Sequence, residues 1–250
     1  MKKGNKNKTS SIMGYLLLEN SNFHIPEMIA TLVRKYNVDV KFDESGNAFL
    51  FQYEDYIVGI SCVETPMAND NAVECCKYNF LWNHSENIVA SHKAHILVSI
   101  MGITNKVEGF QLFTNIMCVV ANFDNAIAIY MPAQKITYNA KAYIEDAREF
   151  GLKGKKPVHL WICICPLELD ATIVYTYGLN EFGKNEIEVR SENKNFLDLF
   201  DFVANLCDEI ITRDIQIVDG DNIETNDGDV ITAHVNEGIY VNRVSVKFNL

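Results

Sequence analysis

The chain of 250 residues is about half apolar and carries a net charge of −11. That length accommodates one large domain or two small ones, and it can bury a core without disulfide or metal cross-links. The acidic charge is concentrated in residues 126–250, which contain 12 Lys and Arg against 20 Asp and Glu. This balance argues against nonspecific nucleic-acid binding and against docking on an anionic membrane.

Seven cysteines lie mostly within apolar segments. Their odd number and the length of the chain do not fit a secreted disulfide framework, whereas reduced, core-filling thiols are typical of the cytosol. The apolar run Ile12–Leu18 is too short for a signal peptide, and no run reaches the eighteen apolar residues of a membrane span. We therefore expect a cytoplasmic protein whose basic residues 1–11 form a disordered tail.

The first hundred residues predict the order strand, helix, strand, strand, helix, strand. The predicted strands are Ile12–Leu18, Asn47–Tyr53, Tyr56–Val63 and Ala94–Met101; one helix follows Pro26, and the other runs from Asn69 or Asp70 to Leu81. This βαββαβ order is that of ferredoxin-like domains. We therefore expect an α+β fold with a mostly antiparallel sheet and helices packed against it.

The second half begins with a helix predicted over Asn105–Ala121, which is apolar on nearly every side and should be buried. Two more helices are predicted over 139–149 and from the capping residue Asn195 to Ile210. The predicted strands are Ala126–Tyr130, Val158–Cys165, Thr172–Tyr177, Glu186–Arg190, 229–235 and 239–248. We expect residues 12–250 to form a single compact domain, or two subdomains at 12–103 and 104–250.

Four blocks of the sequence carry a resemblance to a known family. They are ETPM at 64–67, SHKAHILVS at 91–99, AIAIYMPAQKITYNAKAYIEDA at 126–147 and YTYGLNEFGKNEIEV at 175–189. In these blocks the chain resembles bacterial proteins of domain-of-unknown-function family 4261, with the fourth block the most specific. Asn185 departs from the pattern, because the family often has Met there. The resemblance implies a folded bacterial domain and supplies no mechanism.

A cluster of four charged residues lies in the fourth block: Glu181, Lys184, Glu186 and Glu188. Glu186 and Glu188 invite an acid–base interpretation. In a strand, however, residues two apart share a face, and Ile187 between them takes the other. We therefore expect the two glutamates on the water-facing side of a hairpin, where the four charged residues offer a ligand- or partner-binding surface.

His92 and His95 have a spacing that could hold a metal on a helix. Here they lie at the start of a strand, where a three-residue step places them on opposite faces. His24 or Glu64 could complete a site only through tertiary proximity. We predict no metal site and retain His92, His95 and Glu64 as candidate ligand- or partner-binding residues.

Two further sequence patterns favour a structural role over a redox or metal-binding role. Cys75–Cys76 and the pair Cys163 and Cys165 are expected to fill the core, since neither has the C-x-x-C spacing of a redox motif. The acidic run 218–229 lacks the glycine and glutamate that a calcium loop requires at its sixth and twelfth positions, and it is expected to be a solvated loop.

The sequence contains no nucleophile elbow, phosphate-binding loop or dinucleotide motif, so no cofactor is expected. We therefore favour a non-enzymatic cytosolic module that binds another protein or a small ligand, and a role in bacterial immunity or stress response is a hypothesis. The alternative is a hydrolase or metal-assisted enzyme using His92, His95 and nearby carboxylates. A structural homo-oligomer is a third hypothesis.

Overall fold

A computed structural model describes residues 10–79, 82, 84–225 and 227–250. They form two compact units. The first unit holds the described residues of Met1–Cys76, Trp82–Pro132 and Thr137–Glu149, and the second holds those of Lys77–Leu81, Ala133–Ile136 and Phe150–Leu250. Most of the predicted tail lies outside the described residues; its last two residues, Ser10 and Ser11, belong to the first strand.

The first unit is built around a seven-stranded sheet with the order β2-β3-β4-β5-β1-β6-β7. Its strands are β1 (Ser10–Leu18), β2 (Lys41–Phe42), β3 (Ala48–Tyr53), β4 (Tyr56–Val63), β5 (Ala94–Ile103), β6 (Ala126–Met131) and β7 (Ile136–Asn139). The first five helices are α1 (Ile25–Tyr36), α2 (Asn71–Cys75), α3 (Ser85–Ala90), α4 (Lys106–Val120) and α5 (Ala140–Leu152).

Helices α1 and α4 pack against one face of this sheet. The Phe113 ring of α4 packs closely on Gly14 in β1, where a Cβ atom would lie 2.6 Å from that ring. Asn105 caps α4 by accepting hydrogen bonds from the amides of Val107 and Glu108. The predicted burial of this helix is confirmed, since most of its apolar side chains are inaccessible to solvent.

The second unit contains a five-stranded sheet with the order β13-β14-β10-β9-β8. The remaining strands are β8 (Cys163–Glu168), β9 (Thr172–Tyr177), β10 (Glu186–Ser191), β11 (Asn222–Glu224), β12 (Val230–Thr232), β13 (His234–Glu237) and β14 (Val244–Asn249). Strands β10 and β14 are parallel and the other pairs are antiparallel. Helix α6 (Phe196–Thr212), capped by Asn195 as predicted, packs one apolar face against this sheet.

The predicted α+β class with mostly antiparallel sheets is confirmed. The ferredoxin-like order is not confirmed: α2 and α3 both intervene between β4 and β5, and these two strands are direct antiparallel neighbours. A split βαβ unit would instead place its first and last strands parallel with another strand between them.

Several helices and strands begin or end at residues other than the predicted ones. The predicted strand Val158–Cys165 begins as a 3₁₀ helix at Val158–Leu160 and becomes extended only at Cys163. The predicted strand 239–248 begins only at Val244, and residues 239–241 form a loop instead. The helix predicted to reach Leu81 ends in a 3₁₀ turn at Tyr78, and Phe80 and Leu81 lie outside the described residues. The acidic run 218–229 contains the short strand β11.

Candidate functional site

Glu186 is the first residue of β10, and its side chain is only 1% exposed. Its carboxylate accepts hydrogen bonds from three successive backbone amides, those of Gly178, Leu179 and Asn180, at 3.0, 3.3 and 3.3 Å. The Thr176 hydroxyl donates a fourth bond of 2.7 Å. Burial raises the pKa of the Glu186 carboxyl above its ordinary value, while these hydrogen bonds act in the opposite direction.

Glu188, two residues along the same strand, has an equivalent arrangement and is 3% exposed. Its Oε1 atom accepts from the amides of Ile239, Tyr240 and Val241 at 2.9, 2.9 and 3.1 Å, and its Oε2 atom shares the Ile239 amide at 3.0 Å. Three successive amides converging on one anion form a nest of the kind that binds phosphates and carboxylates. Each glutamate therefore fills a backbone nest of its own chain.

The expectation that Glu186 and Glu188 face water is wrong. Strand alternation assigned them correctly to one side of the ribbon, but that side is covered by the two loops that donate to them. A carboxylate offers about four lone-pair sites. Glu186 accepts hydrogen bonds from four donors and lies 3.9 Å from the Arg243 guanidinium, and Glu188 accepts from three amides, one of which is shared between its two oxygens. Because both carboxylates are buried and held by backbone amides, a structural role fits them better than acid–base catalysis.

Glycines adjoin both nests because backbone atoms pass close to them. Gly178 has φ +124°, and a Cβ there would lie 2.8 Å from the carbonyl oxygen of Trp161. A Cβ at Gly238 would lie 2.3 Å from the carbonyl oxygen of Val241 and 2.5 Å from that of Arg243. Real Cβ atoms do not make such contacts with backbone, so both loops require glycine at these positions.

An aromatic surface lies beside the second nest, and we define it by the rings of Tyr78, Tyr175, Tyr177 and Tyr240. Successive ring centroids are 6.4 Å apart for Tyr78 and Tyr177, 5.8 Å for Tyr177 and Tyr175, and 5.7 Å for Tyr175 and Tyr240. All four side chains are half-buried. The Lys135 ammonium lies 3.7 Å from the centre of the Tyr177 ring, a close cation–π contact.

The other two charged residues of the predicted cluster differ from the glutamates. Lys184 is largely buried along its stem and pairs with Asp214 at 2.6 Å, just beyond the end of α6. Glu181 lies half-buried in the 3₁₀ helix Leu179–Phe182. The predicted cluster is therefore divided between two buried anchors, one ion pair and one residue on the intervening turn.

The predicted histidines belong to the first unit and hold the ETPM turn. His92 is buried; its Nδ1 lies 2.6 Å from the Val89 carbonyl oxygen, and its Nε2 accepts from the Met67 amide at 2.9 Å. His95 Nδ1 lies 2.9 Å from the Thr65 carbonyl oxygen, and desolvation lowers the pKa of His95. Both ring nitrogens of His92 are thus engaged within the fold.

Glu64, at the start of the same turn, is exposed. The seven predicted site residues are consequently assigned to two units, with Glu64 and the two histidines in the first and the charged cluster in the second. Within the described residues, no group of three or more His, Cys, Asp or Glu side chains is placed to hold a metal ion.

Sequence reasoning missed the residues that complete this region, chiefly Tyr240, Lys135 and the amide donors at 239–241. The donors to Glu188 are 51 to 53 positions away in the sequence. The local sequence offers one signal: a glycine next to a polar, turn-forming segment lies before Leu179 and before Ile239. That combination is too common in proteins to identify a nest.

Comparison with known protein families finds a match for this region. The model of the family described as "Domain of unknown function (DUF4261)" matches residues 175–249, from β9 to β14, and includes both glutamates and the second nest. The fourth block of the resemblance lies within that match, whereas the other three lie outside it. No curated protein and no solved structure matches the chain. Among the described residues, no helix has the length and apolar character to cross a membrane. The match supports the assignment of residues 175–249 to domain-of-unknown-function family 4261.

Proposed function

We propose that the chain is a non-enzymatic binding module whose protein partner docks on the aromatic surface and on the adjacent exposed loop at 239–243. Tyrosine, together with arginine, is enriched among the residues that contribute most to protein–protein binding. The surface supplies four tyrosine rings, and the loop adds Ile239, which is 71% exposed, and Arg243, whose side chain is 43% exposed.

The observation that carries the proposal is the anchoring of this loop by Glu188. An exposed loop normally loses conformational freedom when a partner binds, and that loss opposes binding. Here three amides are already fixed by a buried carboxylate, and the Tyr240 ring already stacks on Tyr175. The loop therefore presents Ile239 and Tyr240 in a fixed arrangement before any partner arrives.

The charge of the chain favours a basic partner. Residues 126–250 carry a net charge of −8, and an acidic surface accelerates the association of a positively charged protein. Such steering weakens as salt screens the charges. Association with the partner is accordingly expected to slow as ionic strength rises.

The test compares Ile239→Asp with Leu197→Asp in affinity capture from a bacterial lysate. Both side chains are exposed apolar groups of the second unit, but Leu197, 59% exposed, lies in α6 and apart from the aromatic surface. We expect the wild type and Leu197→Asp to recover the same discrete protein. Ile239→Asp should weaken its binding about tenfold or more, since a charge then replaces an apolar contact.

Equal recovery by the two variants would show that the loop at 239–243 is not the contact. Loss of recovery by both would point to a nonspecific effect of added charge. Circular dichroism and thermal unfolding of each variant control for folding, and both substitutions are at exposed positions where the expected change in stability is small.

We further propose a cytosolic location in a bacterial cell. All seven cysteines are free, and six of them are buried, which supports a reducing compartment. The family resemblance supports the bacterial origin.

The alternative of a hydrolase or metal-assisted enzyme at His92 and His95 stays a prediction. Elemental analysis of the purified protein tests it directly: a stoichiometric transition metal, together with a hydrolytic activity lost in His95→Ala, would favour the enzyme over the binding module.

A further inference from the structure

The loop that joins β4 to α2 is connected to the rest of the first unit through two histidine side chains. We call this loop, residues 64–70, the ETPM segment. All of its residues are exposed except Met67, which is half-buried. Within the described residues, two hydrogen bonds connect positions 64–68 to the fold, one between Thr65 and His95 and one between Met67 and His92. A segment with so few buried and hydrogen-bonded groups is among the parts of a protein that open most easily.

The partners of the His92 ring determine which of its nitrogens carries the proton. Nδ1 lies 2.6 Å from the Val89 carbonyl oxygen, which can only accept a hydrogen bond, and Nε2 lies 2.9 Å from the Met67 amide, which can only donate one. A neutral imidazole has one donor and one acceptor nitrogen. His92 is therefore neutral in this structure, with its proton on Nδ1 and the lone pair of Nε2 bound to the Met67 amide.

A second proton on His92 is incompatible with this arrangement. It would have to bind Nε2, so the acceptor of the Met67 amide would be lost and two N–H groups would point at each other. The His92 side chain is buried, and burying a charge without a partner is costly. The protonated form of His92 and the closed form of the ETPM segment therefore exclude each other.

His95 responds differently to a proton. Its Nδ1 lies 2.9 Å from the Thr65 carbonyl oxygen, so Nδ1 is the donor, and a second proton on Nε2 leaves that hydrogen bond intact. Desolvation lowers the pKa of His95, the hydrogen bond to Thr65 acts in the opposite direction, and a positive charge on His92 lowers this pKa further. The two bonds of the ETPM segment thus differ in their sensitivity to acid.

No neighbouring group compensates a charge on His92. The other ionisable groups on the surrounding elements are the Tyr15 ring of β1, which is 5.8 Å from the His95 ring, and the exposed side chains of Glu64, Asp70, Glu86 and Lys93. Within the described residues, none of these groups forms a hydrogen bond or an ion pair with either imidazole. The Met67 amide therefore decides which form of His92 the closed segment accepts.

The direction of the pH dependence follows from this exclusion. Histidine in water takes up a proton near pH 6.5. Above that pH the open segment has a neutral His92 and can close without losing a proton. Below it the open form binds a proton that must be released before the segment closes, so the stabilisation of the closed form is lost as the pH falls.

We propose that the ETPM segment is a pH-sensitive switch, which neutral His92 holds closed and protonated His92 releases. Acidification would open this surface of the first unit without unfolding the unit, the kind of change that histidine protonation produces in pH sensors. The switch belongs to the first unit and is independent of the partner-binding surface proposed for the second.

Hydrogen exchange of the full chain at pH 7.5 and pH 5.5 tests the proposal. Among positions 65–70, the Met67 amide is the one that donates a hydrogen bond to a distant described residue. Its protection factor, which corrects for the intrinsic effect of pH on exchange, should fall about tenfold, as expected for a proton that binds the open form near pH 6.5 and is excluded from the closed form. The amides of α4, in the same unit, should keep their protection; an equal fall there would mean that the whole unit opens and would overturn the proposal.

Two substitutions separate the histidines. His92→Gln places an amide oxygen where Nε2 lies, so it keeps an acceptor for Met67 that does not titrate, and the protection factors at the two pH values should become equal. His95→Asn is the matched control: its amide nitrogen replaces Nδ1 as the donor to Thr65, and the tenfold fall should persist. A tenfold fall that persists in His92→Gln would overturn the proposal, as would unchanged protection of Met67 in the wild type.

The ring ¹⁵N chemical shifts of wild-type His92 provide a test that needs no variant. They should show the proton on Nδ1 at pH 7.5 and protons on both nitrogens over the pH range in which the Met67 amide loses its protection. A neutral ring with its proton on Nε2 at pH 7.5 would contradict the hydrogen bonds on which the switch depends.

Discussion

At the scale of single residues, the most informative groups are the two buried glutamates of β10. A buried carboxylate costs a great deal of free energy unless it is fully hydrogen-bonded. Glu186 and Glu188 meet this condition by accepting from backbone amides that no helix or strand uses. The glutamates and the loops therefore depend on each other, because the amides would be left without partners if either side chain were removed.

Glu188→Ala tests this dependence. The substitution deprives the amides of Ile239, Tyr240 and Val241 of a charged acceptor, and we expect the free energy of unfolding to fall by about 3 kcal/mol, given the usual cost of losing hydrogen bonds to a charged group. Urea denaturation monitored by circular dichroism measures the change.

Glu192→Ala is the control for that measurement. Glu192 lies just beyond the same strand and forms an exposed ion pair with Arg190 at 3.3 Å, for which a loss of about 0 to 1 kcal/mol is typical. Equal effects of the two substitutions would mean that the nest contributes no more than a surface ion pair.

At the scale of elements, strand β10 and the two loops that bind its glutamates stabilise each other. Strand β10 is paired on both sides, with β9 and with β14, so the sheet holds its backbone in place beside the two loops. The two loops precede β10 and β14 respectively, and each is connected to the sheet at both ends. The nests therefore form only if neighbouring backbone segments in these loops can approach each other closely.

Gly238→Ala probes that backbone requirement. The added methyl group would lie 2.3 Å from the Val241 carbonyl oxygen, and the loop must move to accommodate it. We expect the free energy of unfolding to fall by about 1 to 3 kcal/mol, the usual cost of overpacking. Affinity for the proposed partner should fall as well, since Ile239 and Tyr240 are displaced.

Gly151→Ala is the companion substitution, because a Cβ at Gly151 in α5 meets nothing within 4 Å. Its stability should be unchanged or raised by less than about 1 kcal/mol, since alanine suits a helix better than glycine. If Gly238→Ala were as well tolerated as Gly151→Ala, close backbone packing at the second nest would be ruled out.

At the scale of the whole molecule, the raised pKa values of the cysteine thiols indicate how well the cores exclude water. Desolvation raises the pKa of Cys62 to about 12 and that of Cys118 to about 11. Cys163 and Cys165 lie with their sulfur atoms 3.3 Å apart without a disulfide between them, and burial raises the pKa of Cys165. A thiol reacts as its thiolate, so the thiols of Cys62, Cys118 and Cys165 are expected to be inert in the folded protein.

Thiol titration with a disulfide reagent at pH 8 measures this. With a pKa of about 11 or above, a thiol is deprotonated to only about one part in a thousand or less at that pH. We expect slow reaction in the native state and prompt reaction of all 7 cysteines after denaturation without a reductant. Fast labelling of the native protein would reveal an open core, and fewer than seven thiols after denaturation would reveal a disulfide.

Much of the secondary structure followed from local pattern. Helix α6 repeats apolar residues at helical spacing and begins with the capping residue Asn195, so its position was predictable. Strands β3 and β4 are apolar runs separated by Glu54 and Asp55, and they pair as a hairpin as expected. Two-residue β2 has no such pattern, because its pairing with β3 depends on proximity to the sheet.

The burial of the glutamates could not be predicted, and the reason is physical. Alternation along a strand tells which side chains share a face, but it does not tell what covers that face. A Glu-x-Glu strand with an apolar opposite face has the same sequence pattern whether the carboxylates meet water or a nest of amides. The choice depends on donors such as the Tyr240 amide, 52 positions away.

The sequence by itself determined the α+β class, the principal helices and strands and the acidic charge, because each of these depends on composition or on short-range periodicity. Only the tertiary structure decided what the charged and histidine side chains do: two glutamates bind loop amides, and two histidines hold a turn. Those roles require distant segments to come together, and hydrogen bonds between distant segments leave no periodic trace in the sequence.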